Sequence, residues 1–163
     1  MPESGGRKKL YEGSGQFAEN FNVIQDGEWA GWYLPDSDPF ETQAGPFYCR
    51  QSSDGIRLCA FRASRIHMNV SNAMHGGCLM TFADFALFWI AYDELKETGA
   101  VTASFSSEFM DSAQEGDLIE ASGEVLRSTR SMVFARGLIT SGNRPLLSFS
   151  AILKKLTPRN KNP

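Results

Sequence analysis

Residues 69–92 read Asn69-Val-Ser-Asn-Ala-Met-His75-Gly-Gly-Cys-Leu-Met-Thr-Phe-Ala-Asp84-Phe-Ala-Leu-Phe-Trp-Ile-Ala-Tyr92, and the fold turns on this stretch. From Cys78 to Tyr92 only Thr81 and Asp84 interrupt an apolar run. Leu, Met and Ala favour helix, and no Pro or Gly follows Gly77, so the run predicts one helix of about four turns. A helix that is apolar all round must be enclosed on most sides. A membrane span needs roughly 20 apolar residues; this run is shorter and holds a carboxylate in its middle. The expectation is a buried central helix carrying a costly ionisable group.

Working outward, Phe47 to Gln51 and Ile56 to Arg65 flank Ser52-Ser53-Asp54-Gly55. Asp-Gly between two strand-like runs signals a hairpin. Beyond the helix, Thr98-Gly99 marks its end, glycine being favoured just past a helix C-terminus. From Val101 the period changes to two: Val101, Ala103, Phe105, Ser107 and Phe109 alternate with polar residues, which predicts a half-buried strand. Leu118–Leu126, Ser131–Thr140 and Leu146–Leu156 follow as three more strands, separated by turns at Glu115-Gly116-Asp117 and Ser141-Gly142-Asn143. A hairpin, one long helix and four antiparallel strands give an α+β protein. A sheet curled around the helix hides every helix face.

The ends differ in character. Residues 1–16 hold four glycines and no apolar h-region, so they read as a flexible N-terminus and not as a signal peptide. Residues 17–45 form an aromatic arm with Phe17, Phe21, Trp29, Trp32 and Tyr33. Its first part suits a short amphipathic helix, and Pro35-Asp-Ser-Asp-Pro39 suits a loop. So many aromatics should pack on the domain or on a partner chain. Residues 46–156 make the main domain, and 157–163 a frayed tail.

Composition sets the outer limits. The chain has 163 residues, enough for one domain with a real core. A net charge of −3 with no dense Lys/Arg block argues against nucleic acid as a partner. The three cysteines, Cys49, Cys59 and Cys78, are odd in number, lack ligand spacing and read as buried thiols in a reducing cytoplasm. With two histidines, His67 and His75, no zinc set assembles, so no metal is expected.

A strand, a loop ending in His-Gly-Gly, a buried helix and a run of antiparallel strands resemble the hotdog fold. Within it, the sequence is similar to acyl-CoA thioesterases of the phenylacetate-pathway type, in the 4-hydroxybenzoyl-CoA thioesterase superfamily. The motif there is Asn, a short loop, His-Gly-Gly, a helical acid nine positions past the His, and Ser or Thr on the next strand. Asn69, His75-Gly76-Gly77, Asp84 and Thr102 stand in matching places, and the resemblance covers about Gly45 to Leu156. It implies hydrolysis of a small or medium acyl-CoA, aliphatic or aromatic, with no cofactor beyond the CoA of the substrate. It also implies a cytoplasmic homodimer, alone or as a dimer of dimers, with composite sites at the interface. His75 would support the site and not act as the base.

The residue types suit that chemistry. A carboxylate such as Asp84 can attack a thioester carbonyl or take a proton from water. The N–H groups that open the helix at Gly76 and Gly77 have no intrahelical acceptor, and the dipole end is positive, so an oxyanion would be stabilised there. Asn69 and Thr102 could hold the attacking water or orient Asp84; a loop cap and a strand hydroxyl are the plainer roles, and Asn72 competes with Asn69. Arg127, Arg130 and Arg136 are candidates for CoA phosphates, with Arg62, Arg65 and Lys154 behind them. Gly76 and Asp84 lie eight residues apart on one helix, about 12 Å along its axis. One carbonyl cannot touch both within a single chain, so the pair would have to come from two protomers. The rival readings are a hotdog dehydratase or hydratase, a non-catalytic acyl-CoA sensor, and a scaffold subunit with a vestigial site.

Overall fold

The computed structural model describes residues 21–35 and 38–156. The expected flexible N-terminus (1–16) and tail (157–163), with the start of the arm, lie outside the described residues. The main helix, α2, spans Gly76–Ile90. Leu79, Phe82, Ala83, Phe85, Ala86, Leu87, Trp89 and Ile90 are buried on it, which covers nearly its whole circumference. A short continuation, α3, covers Tyr92–Leu95, and Gly99 ends the element in the left-handed conformation (φ 68°), where the missing Cβ avoids a clash.

One eight-stranded sheet wraps α2, in the order β1-β2-β3-β4-β6-β7-β8-β5. The strands are β1 (Phe21–Val23), β2 (Tyr33–Pro35), β3 (Tyr48–Gln51), β4 (Arg57–Arg62), β5 (Ala100–Phe109), β6 (Leu118–Ser128), β7 (Met132–Ser141) and β8 (Arg144–Lys155). Every neighbouring pair is antiparallel. Helix α2 packs against β4, β5, β6, β7 and β8. This is the hotdog architecture that the pattern of one helix and many strands implies. No helix among the described residues is long and apolar enough to cross a membrane.

The arm differs from its expectation. Phe21–Val23 and Tyr33–Pro35 pair as strands and extend the sheet. The helix of the arm is α1, Pro39–Ala44, later than expected. Its start is set locally: Asp38 accepts the Phe40 and Glu41 N–H groups, and Pro39 needs no donor at the first helical position. Trp29, Trp32 and Tyr33 of the arm pack on the chain's own domain, whereas Phe40 is exposed. Trp29 stacks on Tyr48 with centroids 4.1 Å apart and meets Trp32 edge-on, while the Arg50 guanidinium lies 4.3 Å from the Trp32 ring centre.

Two glycines let the sheet close on the helix. Gly123 of β6 and Gly137 of β7 are direct partners in the ladder. A Cβ on Gly123 would stand 2.1 Å from the Arg136 carbonyl oxygen and 2.8 Å from Ile90 Cδ1, and one on Gly137 would stand 2.3 Å from the Phe149 ring. Backbone cannot retreat as a flexible side chain can, so Gly123→Ala is expected to lose at least about 1–3 kcal/mol, read as a lower denaturant midpoint with an unchanged slope.

The strand after the helix corrects the simple alternation. Val101 and Phe109 are 41% and 53% exposed, whereas Thr102 faces inward. The ladder to β8 shifts register between Thr102 and Ser104. A bulge at that point turns the preceding residues over, so Thr102 and Phe105, which a regular strand would place on opposite faces, both point toward α2.

Candidate active site

The approach to α2 is a tight loop pinned by two side chains. Asn69 Oδ1 accepts the Ser71 N–H (2.8 Å) and the Ala73 N–H (3.2 Å). Asn72 sits at φ 60° and accepts a hydrogen bond from Arg65. Asn69 is thus a loop former, and both Asn72 and Arg65 are occupied. Behind the loop, His67 is buried. It accepts the Ser64 N–H at Nδ1 (2.9 Å), which leaves Nε2 protonated in the neutral ring and facing the Gly45 carbonyl at 3.4 Å. This buried histidine was not singled out in the sequence, where nothing distinguishes it from a surface residue.

His75 is the N-cap of α2, and its Nδ1 accepts the Gly77 N–H at 2.9 Å. His75 thus shapes the turn as an acceptor. The consequence separates the two glycines. The Gly77 N–H is taken, whereas no acceptor takes the Gly76 N–H among the described residues. The Phe109 ring packs over Gly76, 3.2 Å from where a Cβ would be.

Two turns further along, Asp84 is half-buried and accepts the Thr102 hydroxyl at 2.7 Å. The bulge in β5 therefore brings together the two residues that the motif pairs. Burial raises the Asp84 pKa above the usual carboxylate range, the Thr102 hydrogen bond lowers it, and the Asp38 charge raises it again. Asp84 opens onto an outward cleft of about 310 Å³ lined by Asp38, Phe40, Glu41, Met80, Thr81 and itself. Three of these residues come from the arm, outside the motif. Glu41 is also half-buried; burial first, then the charges of Asp38 and Asp84, push its pKa up to about 7. The signal for this contribution was present in the sequence: Asp38-Pro39 is a helix-start pair, read as loop because the helix it starts is only six residues long.

Within the chain the site residues form two groups. Asp84 and Glu41 line the cleft, and Thr102 holds Asp84 from behind it; Asn69, His75, Gly76 and Gly77 belong to the loop and the helix entrance, about 12 Å away along the axis. The arginines are dispersed. Arg136 is paired with Glu124 (2.7 and 3.0 Å), and Arg62 with Glu28. Arg127 and Arg130 are exposed on the β6–β7 hairpin and have no ion-pair partner among the described residues. Cys49 and Cys59 are buried cross-strand partners, and burial pushes the Cys49 thiol up to about 12. Cys78 is only half-buried, and its thiol is pushed up to about 11.

Known proteins agree with this architecture. A family model described as "Thioesterase superfamily" matches residues 71–148. A Pseudomonas aeruginosa protein named "Putative esterase PA0474" is 32% identical over 117 residues, which cover 71% of this chain and 87% of that protein. Two solved structures share the fold at lower identity. A hypothetical thioesterase of Streptococcus pneumoniae with coenzyme A has TM-score 0.60 and 17% identity, over 70% of this chain and 88% of that one. The Escherichia coli PaaI protein from the phenylacetic acid degradation operon has TM-score 0.64 and 18% identity, over 74% and 86%. The fold, the family-model match and the 32% identity over most of both chains agree: the chain belongs to the thioesterase superfamily.

Proposed function

We propose that this protein hydrolyses an acyl-CoA thioester to the free acid and CoA, with Asp84 as base or nucleophile. The observation that carries this reading is a half-buried carboxylate held by one hydroxyl and open to a cleft. In the general-base form, Asp84 takes a proton from water as the water oxygen attacks the acyl carbon. The carbonyl oxygen becomes an oxyanion that accepts the Gly76 N–H. Collapse re-forms the carbonyl and breaks the C–S bond, and the CoA thiolate leaves and takes up a proton. In the nucleophilic form, Asp84 attacks the acyl carbon itself and water opens the resulting anhydride. Neither route draws on a metal or redox group.

The Gly76 N–H that serves one carbonyl belongs, on this reading, to the partner of the protomer that supplies Asp84. Strand β5 supports such pairing, because among the described residues it is laddered only to β8 and ends the sheet. An open edge ten residues long is a template for a second copy of itself. Asn69, Thr102 and His75 position the reacting groups, and Arg127 and Arg130, which are exposed and have no ion-pair partner among the described residues, bind the CoA phosphates on this reading. That a thioesterase-named neighbour was solved with coenzyme A supports the choice of thioester.

The test is thiol release from a panel of aliphatic and aromatic acyl-CoA esters. Turnover of at least one ester supports hydrolysis; tight acyl-CoA binding with no thiol released from any member would favour the sensor instead. Thr102→Val adds a second readout. Losing the hydroxyl removes the interaction that lowers the Asp84 pKa, so the acidic limb of the pH–rate profile is expected to move to higher pH. An unmoved limb would separate Thr102 from Asp84's titration.

A further inference from the structure

Glu41 lines two spaces at once. One is the open cleft that holds Asp84. The other is a smaller cavity of about 90 Å³ walled by Leu34, Pro35, Pro46, Phe47 and Phe85, with Thr42 and Glu41 itself. Helix α1 packs against α2 and puts Glu41 on the boundary between them. Its backbone is spent on the arm's own geometry: its N–H goes to Asp38, and its carbonyl accepts the Gly45 N–H. Its carboxylate receives no donor and no cation among the described residues.

Resting on the hydrolase reading above, we propose that Glu41 is a specificity residue that admits uncharged acyl groups and rejects acyl groups ending in a carboxylate. An acyl group whose carbonyl lies at Asp84 and whose tail enters the apolar cavity must pass Glu41. A neutral hydrocarbon tail loses nothing there and gains apolar burial. A tail with its own carboxylate meets Asp38, Glu41 and Asp84 with no cation to offset them, and like charges at close range in a partly desolvated space repel strongly.

The groups facing Glu41 determine its pH response. Asp38 faces it from the start of α1 and Asp84 from α2; on the sheet side are the thiols of Cys49 on β3 and Cys59 on β4, which burial first and the Glu41 charge as well raise far above neutrality, so they stay uncharged. Burial first, then the charges of Asp38 and Asp84, hold Glu41 partly protonated near pH 7. Raising the pH ionises it and should sharpen the rejection of anionic tails, and the Glu41→Gln variant, which keeps every other carboxylate, isolates that contribution.

The experiment compares butyryl-CoA with succinyl-CoA, which differ in the terminal group, on the wild type and on Glu41→Gln from pH 6 to 8. The expected ratio of kcat/KM, neutral over anionic ester, is larger in the wild type by about tenfold or more, rises with pH there and is flat in the variant. Glutamine keeps the length of the side chain, and matching circular dichroism melts confirm that it folds alike. An identical ratio in both proteins, or a wild-type ratio that does not respond to pH, overturns the assignment. Absence of turnover of every ester by the wild type sinks the hydrolase reading and takes this inference with it, whereas turnover with an unchanged ratio sinks this inference alone.

Discussion

Asp84→Asn is expected to cut kcat by about 10²- to 10⁴-fold on whichever acyl-CoA the wild type turns over best, the range over which a positioned general base contributes. The substitution isolates the chemistry because it leaves the geometry intact. The Asn side-chain oxygen can still accept the Thr102 hydroxyl that Asp84 accepts at 2.7 Å. The variant loses only the ability to take a proton or to attack as a carboxylate. Its stability should not suffer. Asp84's pKa in the folded chain is raised, chiefly by burial. A carboxyl with a raised folded pKa favours folding below its unfolded pKa and loses that contribution as pH rises through the folded value. Above the folded value Asp84 is therefore a net cost, which Asn removes. A melting temperature equal to or above wild type, with kcat collapsed, is the expected pair of results. Unchanged turnover on every ester would remove Asp84 from the mechanism.

Much of this was legible in the sequence, and the parts that were not share a physical cause. The central helix announced itself because an apolar run of that length has few places to go, and the observed Gly76–Ile90 begins at the His-Gly-Gly motif. The strands β6, β7 and β8 followed from two-residue periodicity, and Leu147, Phe149, Ala151 and Leu153 are all buried as their alternation requires. The alternation failed in β5, where one bulge inverts the pattern. The reason that Thr102 reaches Asp84 is that same irregularity, which a period-based reading cannot contain.

The arm was the larger omission. Its strands are three residues each and its helix six, too short for any periodicity to appear. Its order comes from tertiary partners: Trp29 on Tyr48, Arg50 on Trp32, and Glu28 on Arg62. Consequently only the Asp38-Pro39 pair hinted at the arm's helix, and nothing marked Glu41 and Asp38 as site residues although they line the Asp84 cleft. The hydrogen-bond roles at the helix entrance were likewise beyond the sequence. The two glycines look equivalent there, and only the cap made by His75 occupies the Gly77 N–H and leaves that of Gly76.

The central claim is that each site combines the helix entrance of one protomer with Asp84 of the other, and two variants test it together. Gly76→Pro deletes the proposed oxyanion donor with little backbone cost. Proline suits the first helical position, and His75 already has φ −67° and ψ 128°, the extended conformation that a following proline requires. The Phe109 ring edge, 3.2 Å from the position of a Cβ there, must give by a few tenths of an ångström. Alone, Gly76→Pro and Asp84→Asn should each be nearly inactive. In a heterodimer of the two, purified through distinct tags, one site holds an intact Gly76 from the Asp84→Asn chain and an intact Asp84 from the Gly76→Pro chain, while the other site holds both lesions. The predicted result is recovery to about half the wild-type turnover per dimer, one working site of two. A heterodimer no more active than its two parents would contradict the composite site.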